Sequence, residues 1–167
     1  MKKPPKELIP VPWINPVALR FLTSIITGES LVLEIGSGGS TLWFAQYCDY
    51  VVSYETDEEW ADGVAMGLAK NKLHNADVIL YDGIVPSVID DEYDIVFIDG
   101  PNEHRSICIY ATLPLLKPGG WIVLDNATPA LYGAVMSVLE ERCSMTARIG
   151  YKWGETGKYY YTGFWRI

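Results

Sequence analysis

Five acidic side chains recur in one setting along this chain, in or just after a short apolar run. Glu34 lies within Leu31-Val32-Leu33-Glu34-Ile35, and Glu55 closes Tyr50-Val51-Val52-Ser53-Tyr54. Asp82 follows Val78-Ile79-Leu80-Tyr81, Asp99 follows Ile95-Val96-Phe97-Ile98, and Asp125 follows Trp121-Ile122-Val123-Leu124. Beside Glu34 stands Gly36-Ser37-Gly38-Gly39-Ser40-Thr41, a glycine-rich turn with hydroxyls where a helix must begin. Such a turn brings bare backbone and a helix N-terminus against a ligand. Asp99, Asp125 and the neighbouring Asn126 offer two carboxylates and an amide, oxygen ligands that suit Mg²⁺ or Ca²⁺. His104 is a candidate general base, since an imidazole's unperturbed pKa of about 6.5 suits that role, or else it caps a helix or faces solvent.

These groups need a frame. The apolar runs have the length of buried strands, and the stretches between them carry helix signals. Asn15-Pro16 reads as an N-cap and first-turn proline ahead of Val17, Leu19, Phe21, Leu22, Ile25 and Ile26, with Gly28 as the stop. Leu42-Trp43-Phe44-Ala45 continues the helix that the glycine turn opens. Thr56-Asp57-Glu58-Glu59 gives a capped, acidic first turn to a helix running to about Lys70. Further helices are expected after Pro101, through Leu116, and over 129–141. Lys117-Pro118-Gly119-Gly120 reads as a tight turn. Stretches 145–151 and 159–165 read as two closing strands around a loop with Gly154 and Gly157. Alternating strands and helices predict a parallel sheet covered on both faces, and the closing pair predicts an antiparallel edge. The five acids then gather beyond the carboxyl ends of the parallel strands, where such sheets bind ligands.

The bulk numbers exclude several classes. A chain of 167 residues, 49% apolar and 20% charged, has the composition of one globular domain, 1–167. Its first 14 residues carry Pro4, Pro5, Pro10 and Pro12 and read as an irregular arm, with Trp13 either pinning it to the body or closing one side of a substrate cleft. Thirteen Lys and Arg against 21 Asp and Glu leave a net charge of −8, which argues against nucleic acid as partner. No apolar run approaches a membrane span, and no signal peptide is evident. Cys48, Cys108 and Cys143 show no paired spacing and read as free thiols in a reducing cytoplasm.

Acidic strand ends repel phosphate, and Thr41 occupies the third glycine position of the dinucleotide pattern. A cationic, hydroxyl-rich ligand fits better. S-adenosylmethionine has an ammonium, a sulfonium and ribose hydroxyls, and no phosphate. The stretch Leu33-Glu34-Ile35-Gly36-Ser37-Gly38-Gly39-Ser40-Thr41-Leu42-Trp43 resembles the first motif of class I S-adenosylmethionine-dependent methyltransferases. Leu115-Leu116-Lys117-Pro118-Gly119-Gly120-Trp121-Ile122-Val123-Leu124-Asp125-Asn126 resembles their later motif. The likeness runs from about Pro12 to Trp165 and implies a Rossmann-like, doubly wound, mostly parallel seven-stranded sheet with a C-terminal antiparallel hairpin.

Charge and position, supported by the resemblance, assign roles. Gly36, Ser37 and Gly38 let the cofactor approach the backbone. Glu34 binds or orients the methionine end. Ser40 and Thr41 either cap the helix or contact the carboxylate. Glu55 holds the ribose hydroxyls, Asp82 lies near the adenine amino group, and Gly83 lies against the ring. Trp60 stands at the right distance from Glu55 to reach the adenine side, or serves as helix core. Asp99 contacts cofactor or substrate. The set Asp99, Asp125 and Asn126 also resembles the metal site of catechol-type O-methyltransferases, although no lysine follows Asp99 as a base, which leaves His104 for that role. Arg105 reads as a surface residue, or as pairing with an acidic substrate group or the neighbourhood of Glu103. Tyr151, Trp153, Tyr159, Tyr160 and Tyr161 either line an aromatic acceptor pocket or build the sheet edge. The expected function is methyl transfer to a small molecule, with oxygen as acceptor. The alternatives are a non-catalytic cofactor-binding module acting through a partner protein, and a nicotinamide-dinucleotide enzyme.

Overall fold

The computed structural model describes residues 8–83, 92–153 and 158–167, with the backbone alone for 151–153 and 158–159. Helices α1 (Pro16–Ile25), α2 (Gly39–Tyr47), α3 (Glu58–Lys70), α4 (Asn102–Thr112) and α5 (Pro129–Arg142) separate or flank strands β1 (Leu31–Ile35), β2 (Tyr50–Glu55), β3 (Ala76–Leu80), β4 (Tyr93–Ile98) and β5 (Leu116–Leu124). Strands β6 (Met145–Trp153) and β7 (Lys158–Arg166) follow. The sheet has seven strands in the order β3-β2-β1-β4-β5-β7-β6. The first five are parallel, and β7 runs antiparallel to both β5 and β6. The loop with Gly154 and Gly157 lies outside the described residues.

Period-two alternation decides which side chain meets which helix layer. Leu33, Ile35, Val96, Ile98, Ile122, Leu124 and Trp165 face one core with Ile109 of α4 and Met136 and Leu139 of α5. Val32, Val51, Ile95, Phe97, Val123 and Phe164 face the other, with Leu22 of α1, Leu42 and Phe44 of α2 and Val64 and Leu68 of α3. The central strands are buried on both faces, so they read as continuous apolar runs rather than alternating ones. Helix α1 begins where expected: the Asn15 side chain accepts from the backbone N–H of Val17 and Ala18.

One stretch departs from expectation. Helix α4 stops at Thr112, and a single 3₁₀ turn, Leu113–Leu115, leads directly into β5. The Lys117-Pro118-Gly119-Gly120 segment is thus inside the strand as an irregularity rather than a turn ahead of it. Between the pairs Tyr93↔Leu116 and Ile95↔Trp121, β5 advances five residues (121 − 116) while β4 advances two (95 − 93). Gly119 takes φ +84° to make the detour. Asp94 fastens it, accepting from Lys117 Nζ and from the Leu31 N–H at 2.8 Å each. No helix among the described residues is long and apolar enough to cross a membrane.

Candidate functional site

The carboxyl ends of β1, β2 and β4 open into one cavity of about 960 Å³. The glycine turn (Gly36 to Ser40) forms its floor, Glu55 to Trp60 one wall, and Asp99 to Asn102 with Arg105 the other. Trp13 closes a corner. Of the residues expected from sequence, Gly36, Ser37, Gly38, Ser40, Glu55 and Asp99 come together here.

Close approach explains the glycines. Gly36 takes φ +94°, and a β-carbon there would stand 2.6 Å from the Gly100 nitrogen. A side chain at Gly38 would instead extend beside Ser40 and Trp60, both cavity residues. Gly39 is pressed by the arm, whose Val11 carbonyl would stand 2.8 Å from a β-carbon. The turn is thus a cradle kept open on its ligand side and closed on its other sides.

Two carboxylates brace the turn. Glu55 is buried, and its Oε2 accepts from Ser37 N–H (3.0 Å) and Ser37 Oγ (2.9 Å). Its Oε1 accepts from Thr56 N–H (2.8 Å) and Asp57 N–H (3.1 Å). Glu34 is fully buried and points under α2 rather than into the cavity. It pairs with Ser53 across β1 and β2, which puts it on the face that packs on α2. Its Oε2 accepts from Thr41 Oγ1 (2.5 Å) and Ser53 Oγ (2.7 Å), and Thr41 Oγ1 accepts from Gly38 N–H (2.9 Å). Thr41 therefore caps the helix. Glu34 Oε1 is buried with no partner. Burial, outweighing hydroxyl hydrogen bonds, pushes its carboxyl up to about 7.

The opposite wall is held by a buried arginine. Arg105 is only 5% exposed, against the sequence reading of a surface residue. Its Nη2 donates to Asp99 Oδ1 at 2.8 Å and to the Asp99 carbonyl at 3.1 Å. Its Nε donates to the Gly100 carbonyl at 2.7 Å, and its Nη1 to the Asp125 carbonyl. Burial and the Asp125 charge push the Asp99 carboxyl up in spite of the guanidinium. Asp125 is buried and accepts from Thr162 Oγ1 at 3.1 Å.

Several expected site residues sit elsewhere. Asp125 and Asn126 do not line the cavity, nor do Asp82, Gly83 and His104. The His104 imidazole lies against Gly83, filling the space a β-carbon would take, and its Nδ1 is buried without a partner. Gly83, with φ +95°, is therefore covered by His104 on the side where a β-carbon would project. Tyr161 stacks with Arg148, and neither it nor Tyr160 lines the cavity. The side chains of Tyr151, Trp153 and Tyr159 lie outside the described residues.

Among the described residues no group of three or more His, Cys, Asp or Glu side chains is arranged to hold a metal ion. The Asp99, Asp125 and Asn126 set does not fit a divalent cation, because the Arg105 guanidinium already bridges the two strand ends.

Trp60 joins the site more firmly than its helix position suggested. Its Nε1 donates to the Ser37 carbonyl at 2.7 Å, and its ring meets Trp13 edge to face at 6.5 Å. The signal was available. Helical side chains lean toward the helix N-terminus, so a residue in the first turn or so after a strand end reaches back over that end. The same rule brings Arg105 of α4 over the end of β4.

A family model described as a methyltransferase domain matches residues 33–127. No curated protein matches the chain. Solved structures share its fold. An O-methyltransferase from Bacillus cereus, in complex with S-adenosylhomocysteine, is 21% identical with a TM-score of 0.73, over 94% of this chain and 84% of that one. The O-methyltransferase TomG of Streptomyces achromogenes, involved in tomaymycin synthesis and in complex with S-adenosylmethionine, is 20% identical with a TM-score of 0.73, over 92% and 81%. A precorrin 8w decarboxylase from Methanobacterium thermoautotrophicum is 17% identical with a TM-score of 0.72, over 100% of both chains.

Proposed function

The chain belongs to the methyltransferase domain family and is a class I S-adenosylmethionine-dependent methyltransferase, and from that premise we propose that it methylates a small molecule on oxygen. The observation that carries this reading is one cavity joining the glycine cradle, Glu55 and Asp99. Its volume of about 960 Å³ lies at the upper end of ordinary small-molecule sites, enough for a donor and a modest acceptor side by side. Two O-methyltransferases among the structural neighbours support oxygen as the acceptor atom. Free cysteines at 48, 108 and 143 suit a cytoplasmic setting.

The donor, when bound, supplies a methyl carbon made electrophilic by the sulfonium. The chain's own residues supply place and charge. Gly38 leaves room above the turn, and Glu55, Asp57, Glu58, Glu59 and Asp99 surround the space with negative charge that favours a cation. Glu55 is assigned the ribose hydroxyls. Its Oε2 accepts from two donors and its Oε1 from three, and of these the Ser37 and Thr56 hydroxyls can rotate away. Of the two, Ser37 Oγ is the one on Oε2, and a ribose hydroxyl on that oxygen takes its place. Asp99, held by Arg105, is assigned the acceptor's proton as the new carbon–oxygen bond forms and the carbon–sulfur bond breaks. Fixed geometry contributes most, since an in-line displacement needs alignment above all.

Calorimetry with S-adenosylhomocysteine tests the cofactor assignment. Wild type should bind, and Glu55→Gln should bind about 10–100-fold more weakly, the worth of a charge-assisted hydrogen bond. Absence of binding to wild type, or equal binding by the variant, would remove Glu55 from the site.

A further inference from the structure

The two strand ends that sequence alone marks for a divalent cation already hold a cation of their own. Arg105 Nη2 lies 2.8 Å from Oδ1 of the Asp99 carboxylate, the group a metal would share. The guanidinium also takes the backbone carbonyls of Asp99, Gly100 and Asp125. These bonds commit four of its five N–H groups. A guanidinium stays charged at any working pH, so it cannot step aside by losing a proton. A divalent ion would have to sit about 2.0–2.6 Å from an oxygen of the same Asp99 carboxylate, against a permanent like charge. On the β5 side, Asp125 Oδ1 takes the Thr162 hydroxyl.

We infer that Arg105 replaces the metal: it is the built-in counter-ion of the β4 and β5 ends, and the site serves acceptors that need not chelate. This rests on the methyltransferase reading above. A vicinal diol held by a metal needs two adjacent coordination positions. Arg105 has a single uncommitted N–H, on Nη1, and so offers one contact at most. The acceptor class is therefore a molecule that presents one reacting hydroxyl, with its proton passed to Asp99. Arg105 is a positioning residue, because it acts through Asp99 and the two strand ends.

The test is a titration of chelator-treated wild type with Mn²⁺, read by electron paramagnetic resonance, together with S-adenosylhomocysteine calorimetry with and without EDTA. The expected result is no bound Mn²⁺ at the strand ends and a cofactor affinity that EDTA changes by less than about twofold. Arg105→Ala should gain a Mn²⁺ site at least about tenfold tighter than anything in wild type, because the buried Asp125 and the partly buried Asp99 lose their counter-ion. Arg105→Lys, which keeps the charge, should still exclude Mn²⁺. Stoichiometric Mn²⁺ binding by wild type that Asp125→Asn abolishes would overturn the inference, and so would Mn²⁺ binding by Arg105→Lys as strong as by Arg105→Ala. If Arg105→Ala does not fold, the wild-type and Arg105→Lys titrations decide. Failure of S-adenosylhomocysteine to bind wild type would strike the cofactor reading and leave the Mn²⁺ result readable on its own.

Discussion

The two walls of the cavity are built on different principles. On the β1–β2 side, carboxylates hold backbone: Glu55 gathers the N–H groups of Ser37, Thr56 and Asp57, and Glu34 grips the turn through Thr41. On the β4–β5 side, one guanidinium holds three carbonyls and a carboxylate. The first wall ties β1 to β2 across 18 and 19 positions in sequence, at Ser37–Glu55 and Ser53–Glu34. The second ties β4 to β5 through Arg105, whose bonds to Asp99 and Gly100 are local and whose bond to the Asp125 carbonyl spans 20 positions. The difference teaches where rigidity and where charge are placed. The cradle is rigid and anionic, and the reaction side carries a fixed positive charge beside its acid.

The largest expected effect comes from breaking the cradle. Gly36→Ala combines an unfavourable φ with a β-carbon 2.6 Å from the Gly100 backbone, where the glycine turn meets the end of β4. Backbone on both sides leaves no flexible side chain to yield. A loss of about 2–4 kcal/mol in urea unfolding is expected, with S-adenosylhomocysteine binding abolished. An alanine variant of wild-type stability would mean the walls are not locked together at this glycine.

The next test separates Glu34 from the other acids by its titration. Its carboxyl is raised from 4.5 to about 7, so the folded state holds the proton more tightly than the unfolded chain. The stability it contributes is complete below pH 4.5 and is lost as pH rises through about 7. Across that window wild type should lose up to about 3 kcal/mol relative to Glu34→Gln. Asp99 and Asp125 are raised as well and remain in both proteins; the Asp125 part cancels in the comparison, whereas the Glu34 charge itself contributes to the Asp99 shift, so the difference carries a lesser Asp99 part. Urea midpoints at pH 5 and pH 8 measure it, and parallel profiles for the two proteins would show that Glu34 is not the cradle's buried acid.

The two walls also differ in how far they could be read from residues. The cradle was legible because strand, turn and helix are contiguous, and because Glu55 ends the neighbouring strand in register with it. Period and turn chemistry carry that information locally. The inward aim of Glu34 was not legible, since facing follows from which helix covers which face of the sheet. Arg105 reads as surface because nothing local shows the guanidinium turning back onto Asp99 and Gly100, and the Asp125 carbonyl joins them only after β4 and β5 pair. His104 has the right chemistry for a base, but the helix that carries it turns its ring onto Gly83. Lys117-Pro118-Gly119-Gly120 has turn composition, yet pairing of β5 with β4 on both sides absorbs it into the strand.

A smaller effect is expected at the cavity corner. Trp13 is 72% exposed and touches Trp60 edge to face, so its removal should leave the fold intact. An edge-to-face pair contributes about 0.5–1.5 kcal/mol. Trp13→Ala should weaken S-adenosylhomocysteine binding by no more than about tenfold while the urea midpoint stays put. A large fall in stability would make the arm part of the core instead of a cover for the cradle side.

The smallest effect is the most specific to how Glu55 works. Ser37 Oγ donates to Glu55 Oε2 at 2.9 Å, and the Ser37 N–H keeps its own bond to the same oxygen. Removing the hydroxyl leaves the backbone brace in place and frees one acceptor position for a ligand hydroxyl. Ordinary reasoning about a polar cavity residue predicts weaker binding for Ser37→Ala. The crowded carboxylate predicts the opposite sign: equal or tighter binding of S-adenosylhomocysteine, by up to about fivefold, since a net hydrogen bond is worth about 1 kcal/mol. Calorimetry at one salt concentration resolves the sign. Weaker binding would mean that the Ser37 hydroxyl touches the ligand itself, and that Glu55 is a brace for the turn in the same way as Glu34.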